Sequence, residues 1–130
     1  MGGYVVQHYL DNPHTVDELK YDLRIYVLLY GVSPLRVYIH HEGMARFCTE
    51  PYRKPTRKNM DNLFMHLTNY AINKHSDKYE EADDESSEAE ETGHKRSLNA
   101  ILRIIEGDGG NKELIWYQIK DIVVKTLTVG

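Results

Sequence analysis

Three charged side chains, Lys20, Asp22 and Arg24, alternate along the run Lys20-Tyr21-Asp22-Leu23-Arg24-Ile25-Tyr26-Val27-Leu28-Leu29. Successive side chains on a strand point to opposite faces, so these three share a face with Tyr26. Tyr21, Leu23, Ile25, Val27 and Leu29 form the other face. Two residues of strand rise about 7 Å, so cation, anion and cation follow one another at that repeat. Such a row suits a charged ligand, for instance the phosphates of a nucleotide. The alternative is a solvated face with cross-strand ion pairs. A second dense block, His66 to Lys74, closes an apolar run of Leu63, Phe64, Met65 and Leu67. It sets Thr68, Asn69, Tyr70, Asn73 and Lys74 within seven residues.

Other chemistries lack their residues. There is no Gly-x-Ser-x-Gly elbow, no zinc-spaced Cys/His set and no Walker sequence. His40, His41, His66 and His75 lack the i, i+4 spacing of a helical metal pair, and no structural metal is expected among them. Cys48, in Arg46-Phe47-Cys48-Thr49, has no activating base nearby in sequence and reads as a small buried residue rather than a nucleophile. Arg53, Lys54, Arg57 and Lys58 crowd a Pro-containing stretch. They are either a solvated loop or a patch that steers an acidic partner by long-range attraction. Tyr52 is the one aromatic nearby, which disfavours nucleic acid.

The elements that must position these groups follow from pattern. Residues 4–10 (YVVQHYL) read as a short strand ended by Asp11-Asn12-Pro13. Residues 20–30 form the two-faced strand, Gly31-Val32-Ser33-Pro34 a four-residue loop, and Leu35–His41 the returning strand of a hairpin. Residues 51–61 read as loop, and 61–67 as a short helix or packed turn. Ser97 caps a helix from Leu98 to Glu106, with Leu98, Ile101, Leu102 and Ile105 at helical spacing. Gly107 stops it and Asp108-Gly109-Gly110 is a turn, since no Gly-Lys-Ser/Thr follows. Asn111 caps a second helix, Lys112–Leu127, whose stripe of Ile115, Ile119, Ile122 and Thr126, widened by Trp116 and Val123, is expected in the core. Strands followed by helices argue an α+β fold.

Composition sets the bounds. The 130 residues suit one domain or part of one, with 41% hydrophobic and 28% charged residues. A single cysteine rules out an internal disulfide and suits a reducing compartment. The apolar run Ile25–Tyr30 is too short to span a bilayer, so a soluble intracellular chain with no membrane partner is expected. The net charge of −4 is uneven: residues 80–91 hold eight acids and no base, leaving 16 bases against 12 acids elsewhere. Residues 77–93 are expected to be an acidic mobile loop, either a solvated spacer or a mimic of an acidic substrate.

Lys20-Tyr21-Asp22, Gly43-Met44-Ala45-Arg46-Phe47 and His66–Lys74 together resemble the tubulin tyrosine ligase-like family, and within it the polyglutamylases. Lys95-Arg96-Ser97-Leu98, Ile115-Trp116 and Asp121–Leu127 are similar to the family's next segment, so the resemblance spans about residues 4–128. It implies part of an ATP-grasp fold, incomplete at both ends: the central part of a catalytic domain occupying residues 1–130. It implies ATP-dependent ligation of free glutamate to glutamate side chains of tubulin tails, through an acyl phosphate attacked by the incoming amine. ATP and Mg²⁺ would be required, with the metal ligands outside this chain. These 130 residues alone are then expected to ligate weakly or not at all. The alternative is a non-catalytic remnant that binds tubulin or microtubules.

By position, the resemblance places Gln7, His8, Tyr9 and Leu10 at the adenine hinge, and Lys20, Tyr21 and Asp22 at adenine and ribose. Thr68 and Asn69 lie at the nucleotide. Arg24 extends the charged face toward phosphate or acyl phosphate, and Arg46 grips the carboxylate of the incoming amino acid with a planar fork. Tyr70 and Lys74 lie near that amino acid, and Ala71 favours glutamate as the residue added. Arg53, Lys54, Arg57 and Lys58 would contact the acidic tail. The implied setting is the cytoplasm and cytoskeleton, with cilium, flagellum and basal body among its places. No nucleic-acid partner is implied.

Overall fold

The computed structural model describes residues 3–81 and 93–129. Most of the acidic stretch expected as a mobile loop, 82–92, lies outside the described residues. A four-stranded antiparallel sheet runs in chain order: β1 (Thr15–Val16), β2 (Leu19–Val32), β3 (Leu35–Phe47) and β4 (Lys95–Ser97). Two single-turn helices, α1 (Leu63–His66) and α2 (Tyr70–Asn73), lie between β3 and β4. The longer α3 (Leu98–Gly107) and α4 (Lys112–Thr128) close the chain. The fold is α+β.

One face of the sheet makes the core. Val16, Ala45, Phe47 and Ile101 are buried together, with Leu19, Tyr21, Leu23, Ile104 and Ile105 packed around them. Leu98 and Leu102 are buried on the same helix, as their spacing requires. Ser97 Oγ accepts the Ala100 amide at 3.1 Å, and Asn111 Oδ1 accepts the Leu114 amide at 2.9 Å, so both helices start at the caps their sequences announce.

Four expectations are corrected. Residues 4–10 are not a strand: they run without regular structure and are exposed, because nothing among the described residues pairs with them. The hairpin loop is Ser33-Pro34 alone, since Val32 pairs with Leu35. The returning strand continues past His41 to Phe47, and register shifts interrupt its pairing between Ile25 and Val27 and between Leu29 and Gly31. Val27 and Leu29 end exposed rather than beside Leu23 in the core, because the far end of the hairpin is uncovered on both faces: Tyr26, Leu28 and Tyr30 are exposed as well. Finally, α4 has no buried residue. It packs mainly on α3 and faces β2 across an open cavity of about 670 Å³, so Ile122 stays 63% exposed. Gly107 is the last residue of α3, and the left-handed turn behind it is made by Gly109 at φ 87°.

Candidate functional site

The polar face of the sheet is built by register. Asp22 pairs across β2–β3 with Arg46, and Arg46 pairs across β3–β4 with Lys95. The next row in the same direction is Arg24, Met44 and Ser97. Residues opposite one another on neighbouring strands share a face, so both rows look the same way. Together with Tyr26 they floor a cavity of about 770 Å³, except that Asp22 stands just outside it. Thr68, Tyr70 and Asn73 form one wall; Tyr79, His94 and the sheet's outer edge form the other.

Within this face the Arg46 guanidinium grips both oxygens of the Asp22 carboxylate. Nε donates to Oδ1 at 3.1 Å and Nη2 to Oδ2 at 2.6 Å. The hydrogen bonds to Asp22 hold Arg46 above its usual range, against the opposite pull of partial burial. Arg24 lies 6.0 Å from the Tyr26 ring centroid and makes no ion pair among the described residues. Arg96 lines the cavity edge but is committed elsewhere: to Asp17 at 2.7 Å, to the Gly93 carbonyl, and over the Phe47 ring at 4.6 Å. His94 is pulled below the ordinary imidazole value by burial, and its Nδ1 accepts the Glu80 amide at 3.0 Å.

A separate corner gathers the residues assigned to adenine. Lys20 Nζ donates to the Tyr9 hydroxyl at 3.1 Å and to the His66 carbonyl at 2.9 Å, and lies over the Tyr9 ring. The buried His66 ring meets Tyr9 and Tyr52 edge-on. Gln7, His8 and Leu10 are exposed beside it. Tyr21 turns to the opposite face and packs on Phe47 with ring centroids 5.2 Å apart, so only its backbone faces this corner. Asn69 precedes α2 without a side-chain cap bond. Lys74 lies 5.7 Å from the Tyr70 ring and is exposed outside the cavity.

The sequence-assigned residues therefore fall in two groups. Arg24, Arg46, Thr68 and Tyr70 share the cavity, while Lys20 and Tyr9 share the aromatic corner. Asp22 belongs with the first group, through its ion pair with Arg46. In the basic stretch, Arg53 is 3.5 Å from Glu18 and Lys54 is 3.7 Å from Asp11, both exposed pairs. Arg57 and Lys58 make no ion pair among the described residues. Cys48 is wholly buried, and burial pushes its thiol up to about 11, so it has no thiolate character at neutral pH. Among the described residues no group of three or more His, Cys, Asp or Glu could hold a metal ion. No helix of these residues is long and apolar enough to cross a membrane.

Sequence reasoning passed over Asn73 as a structural tie. It is 1% exposed, accepts from the Thr49 amide and hydroxyl at 3.1 Å each, and donates to the Leu67 and Asn69 carbonyls at 2.7 and 3.1 Å. Its signal was its place, four residues after Asn69 in a block otherwise read for ligand contacts. It ties Thr68 and Tyr70 to the end of β3.

A family model described as the tubulin-tyrosine ligase family matches residues 2–130. The probable beta-tubulin polyglutamylase of Tetrahymena thermophila is 45% identical over 124 residues, covering 95% of this chain and 10% of that protein. Tubulin polyglutamylase TTLL11 of Homo sapiens is 44% identical over 123 residues, covering 95% and 17%. Tubulin polyglutamylase TTLL6 of Homo sapiens is 42% identical over 123 residues, covering 95% and 13%. The chain thus spans 10% to 17% of the length of these relatives. With a family model matched along nearly its whole length, and a cavity joining the arginines that carry the resemblance, the chain belongs to the tubulin-tyrosine ligase family.

Proposed function

We propose that this chain is the central part of an ATP-grasp ligase module that joins glutamate to glutamate side chains of tubulin tails. The observation that carries the reading is the cavity: Arg24, Arg46, Thr68 and Tyr70, up to 46 residues apart in sequence, line one space. Ligation brings together a polyphosphate, an acceptor carboxylate and a zwitterionic amino acid. Cations and hydrogen-bond donors there offset converging negative charge. The names of the relatives, polyglutamylases of tubulin, support the substrate.

In this reading ATP supplies the phosphoryl group that activates the acceptor carboxylate. Tyr9 and Lys20 flank its base, with Gln7, His8, Leu10, Thr68, Asn69 and the Tyr21 backbone alongside and Asp22 toward the ribose. Arg24 meets phosphate or activated carboxylate. Arg46 exchanges Asp22 for the carboxylate of the incoming glutamate, with Tyr70 and Lys74 nearby. Arg53, Lys54, Arg57 and Lys58 draw the acidic tail in from solvent; the freedom of Arg57 and Lys58 from ion pairs among the described residues leaves them available for it. The described residues offer no Mg²⁺ ligand set, so no step is assigned to the metal through them. Such an enzyme works at the cytoskeleton, including ciliary and flagellar microtubules.

The test is glutamate incorporation into tubulin by the complete protein that carries this chain, with ATP and Mg²⁺, followed by mass spectrometry of the tails. Tails gaining glutamyl units with the natural protein, and not with Arg46→Gln, support the reading. No incorporation, together with nucleotide-independent, salt-sensitive microtubule pelleting lost on reversing Arg57 and Lys58, would replace it with tubulin binding alone.

A further inference from the structure

The stretch Arg53-Lys54-Pro55-Thr56-Arg57-Lys58 carries a hydroxyl that the proposed ligation does not use. Thr56 stands among four cations: Arg53 and Lys54 lie three and two residues before it, Arg57 and Lys58 directly after. All six residues are exposed, and residues 51–56 run without helix or strand. Pro55 keeps Lys54 out of the helical region, so the chain reaches the hydroxyl extended. Thr56 Oγ1 donates to Asn59 Oδ1 at 3.1 Å and accepts the Lys58 amide at 3.3 Å, both within one exposed turn. Opening that turn breaks bonds that water replaces. The cations are loosely held as well. Arg53–Glu18 and Lys54–Asp11 are exposed pairs at 3.5 and 3.7 Å, and Arg57 and Lys58 make no ion pair among the described residues. Ser97 also follows a basic pair, Lys95-Arg96, but its Oγ is engaged in capping α3.

We propose that Thr56 is the phosphate acceptor of a protein kinase that selects basic residues around its target hydroxyl, and that its phosphorylation weakens the hold of this stretch on acidic tails. The effect on tails rests on the reading of Arg53, Lys54, Arg57 and Lys58 as the tail contact. A kinase of this kind lines its substrate cleft with carboxylates and takes the chain extended, which suits exposed cations on an irregular segment. Thr56 Oγ1 attacks the γ-phosphorus of the kinase's ATP, the bond from that phosphorus to the bridging oxygen breaks to release ADP, and the hydroxyl proton passes to a carboxylate of the kinase. The product carries about −1.5 to −2 charge and three strong acceptor oxygens where a neutral hydroxyl stood. That roughly halves the charge of the four cations. The phosphate also competes for the Arg57 fork beside it, withdrawing a cation from the surface offered to a tail.

The experiment incubates the complete protein with ATP, Mg²⁺ and the catalytic subunit of cyclic AMP-dependent protein kinase, which takes basic residues at the third and second positions before its acceptor. Peptide mapping by mass spectrometry places the phosphates. Fluorescence anisotropy then reads the binding of a dye-labelled hexaglutamate peptide without nucleotide. Thr56 gains a phosphate, and so does the serine of Thr56→Ser. The phosphorylated protein binds the peptide about 5- to 10-fold more weakly at low salt. The difference closes in about 0.5 M salt, where exposed charges are screened. Thr56→Val, treated with the same kinase, keeps the affinity of the untreated natural protein. If neither the natural protein nor Thr56→Ser takes phosphate at this position, the acceptor assignment is overturned. If Thr56 is phosphorylated and the affinity does not change, while Arg57→Glu with Lys58→Glu weakens the peptide, the tail contact stands and the regulation is overturned. If that charge reversal also leaves the affinity unchanged, the reading of the basic stretch itself falls, and the regulation with it.

Discussion

Replacing Asn73 by alanine removes four hydrogen bonds from a place with almost no water. The Thr49 hydroxyl loses its acceptor and the Leu67 carbonyl its side-chain donor, while the Thr49 amide keeps the Phe64 carbonyl and the Asn69 carbonyl keeps the Ile72 and Asn73 amides. A buried polar group left unmade costs about 1–3 kcal/mol, and the Thr49 hydroxyl can turn to another acceptor. Water entering the vacated space recovers part of the rest. With the Leu67 carbonyl as the group left unmade, a loss of roughly 2 kcal/mol follows. For a chain of this size that lowers the midpoint of thermal unfolding by roughly 4 °C per kcal/mol, or roughly 8 °C in all. Differential scanning calorimetry reads it directly. Asn73→Asp separates the two halves of the network: it keeps an acceptor for Thr49 but aims a carboxylate oxygen at two carbonyls, so it is expected to be no better than alanine. Faster amide exchange at Ile72 and Asn73, whose amides close α2 onto the Asn69 carbonyl, shows the loss reaching the cavity wall. A fall of less than about 3 °C for alanine, or an aspartate variant as stable as the natural protein, refutes the account of Asn73 as the tie between β3 and the Thr68–Tyr70 wall.

Gly43→Ala sets a Cβ 2.5 Å from the Arg24 carbonyl oxygen, so β2 and β3 must part; a loss of about 1–3 kcal/mol is expected in chemical denaturation, together with weaker amino-acid binding. Cys48, buried with its thiol pushed up to about 11, resists alkylation by iodoacetamide at pH 8 in the folded protein and reacts in urea. Because that raised value favours the protonated folded form, Cys48 contributes stability in full below the unfolded thiol value of about 9. This is lost as pH rises toward 11, which a pH series of unfolding midpoints checks against Cys48→Ala. His94 behaves with the opposite sign: its depressed value gives stability above the ordinary imidazole range of about 6.5, lost on acidification. Protonation of Nδ1 removes the acceptor of the Glu80 amide, so hydrogen exchange at that amide gains on its neighbours as the pH falls.

The elements with strong local signals were legible. Alternation marked β2, and caps with helical spacing marked α3 and α4. The registers were not. A four-residue loop pairs Tyr30 with Leu35 and would set Asp22 opposite Gly43. The two-residue loop and two register shifts instead bring Asp22 opposite Arg46. No local preference announces those shifts, so the ion pair between Asp22 and Arg46 could not be read in advance. β1 was missed because its turn, Asp17-Glu18, is made by two non-glycine residues at φ 53° and 61° rather than by Asn-Gly. β4 was missed because three residues are too few for a period. The stripe on α4 was read correctly as apolar and wrongly as buried, since periodicity gives a face and not what covers it.

What fixes the register is the far side of the sheet. Slip β3 against β2 by one residue and every side chain changes face. Ala45 and Phe47, 0% and 1% exposed, would leave the core, and Arg46 would enter it. Exposing Phe47 alone forfeits about 2–3 kcal/mol, and an unpaired guanidinium in its place costs several more. Gly43 adds a second constraint, because only a residue without a Cβ lets the Arg24 carbonyl approach. The charged row is itself poorly self-sufficient, since Lys95 stands beside Arg46 and makes no ion pair among the described residues. It is therefore the hydrophobic face, through Phe47, Ala45 and Tyr21, that holds the charged face in an arrangement its own electrostatics would not select. A site so imposed stays open to a carboxylate from outside, whereas a row that neutralised itself would have no use for one.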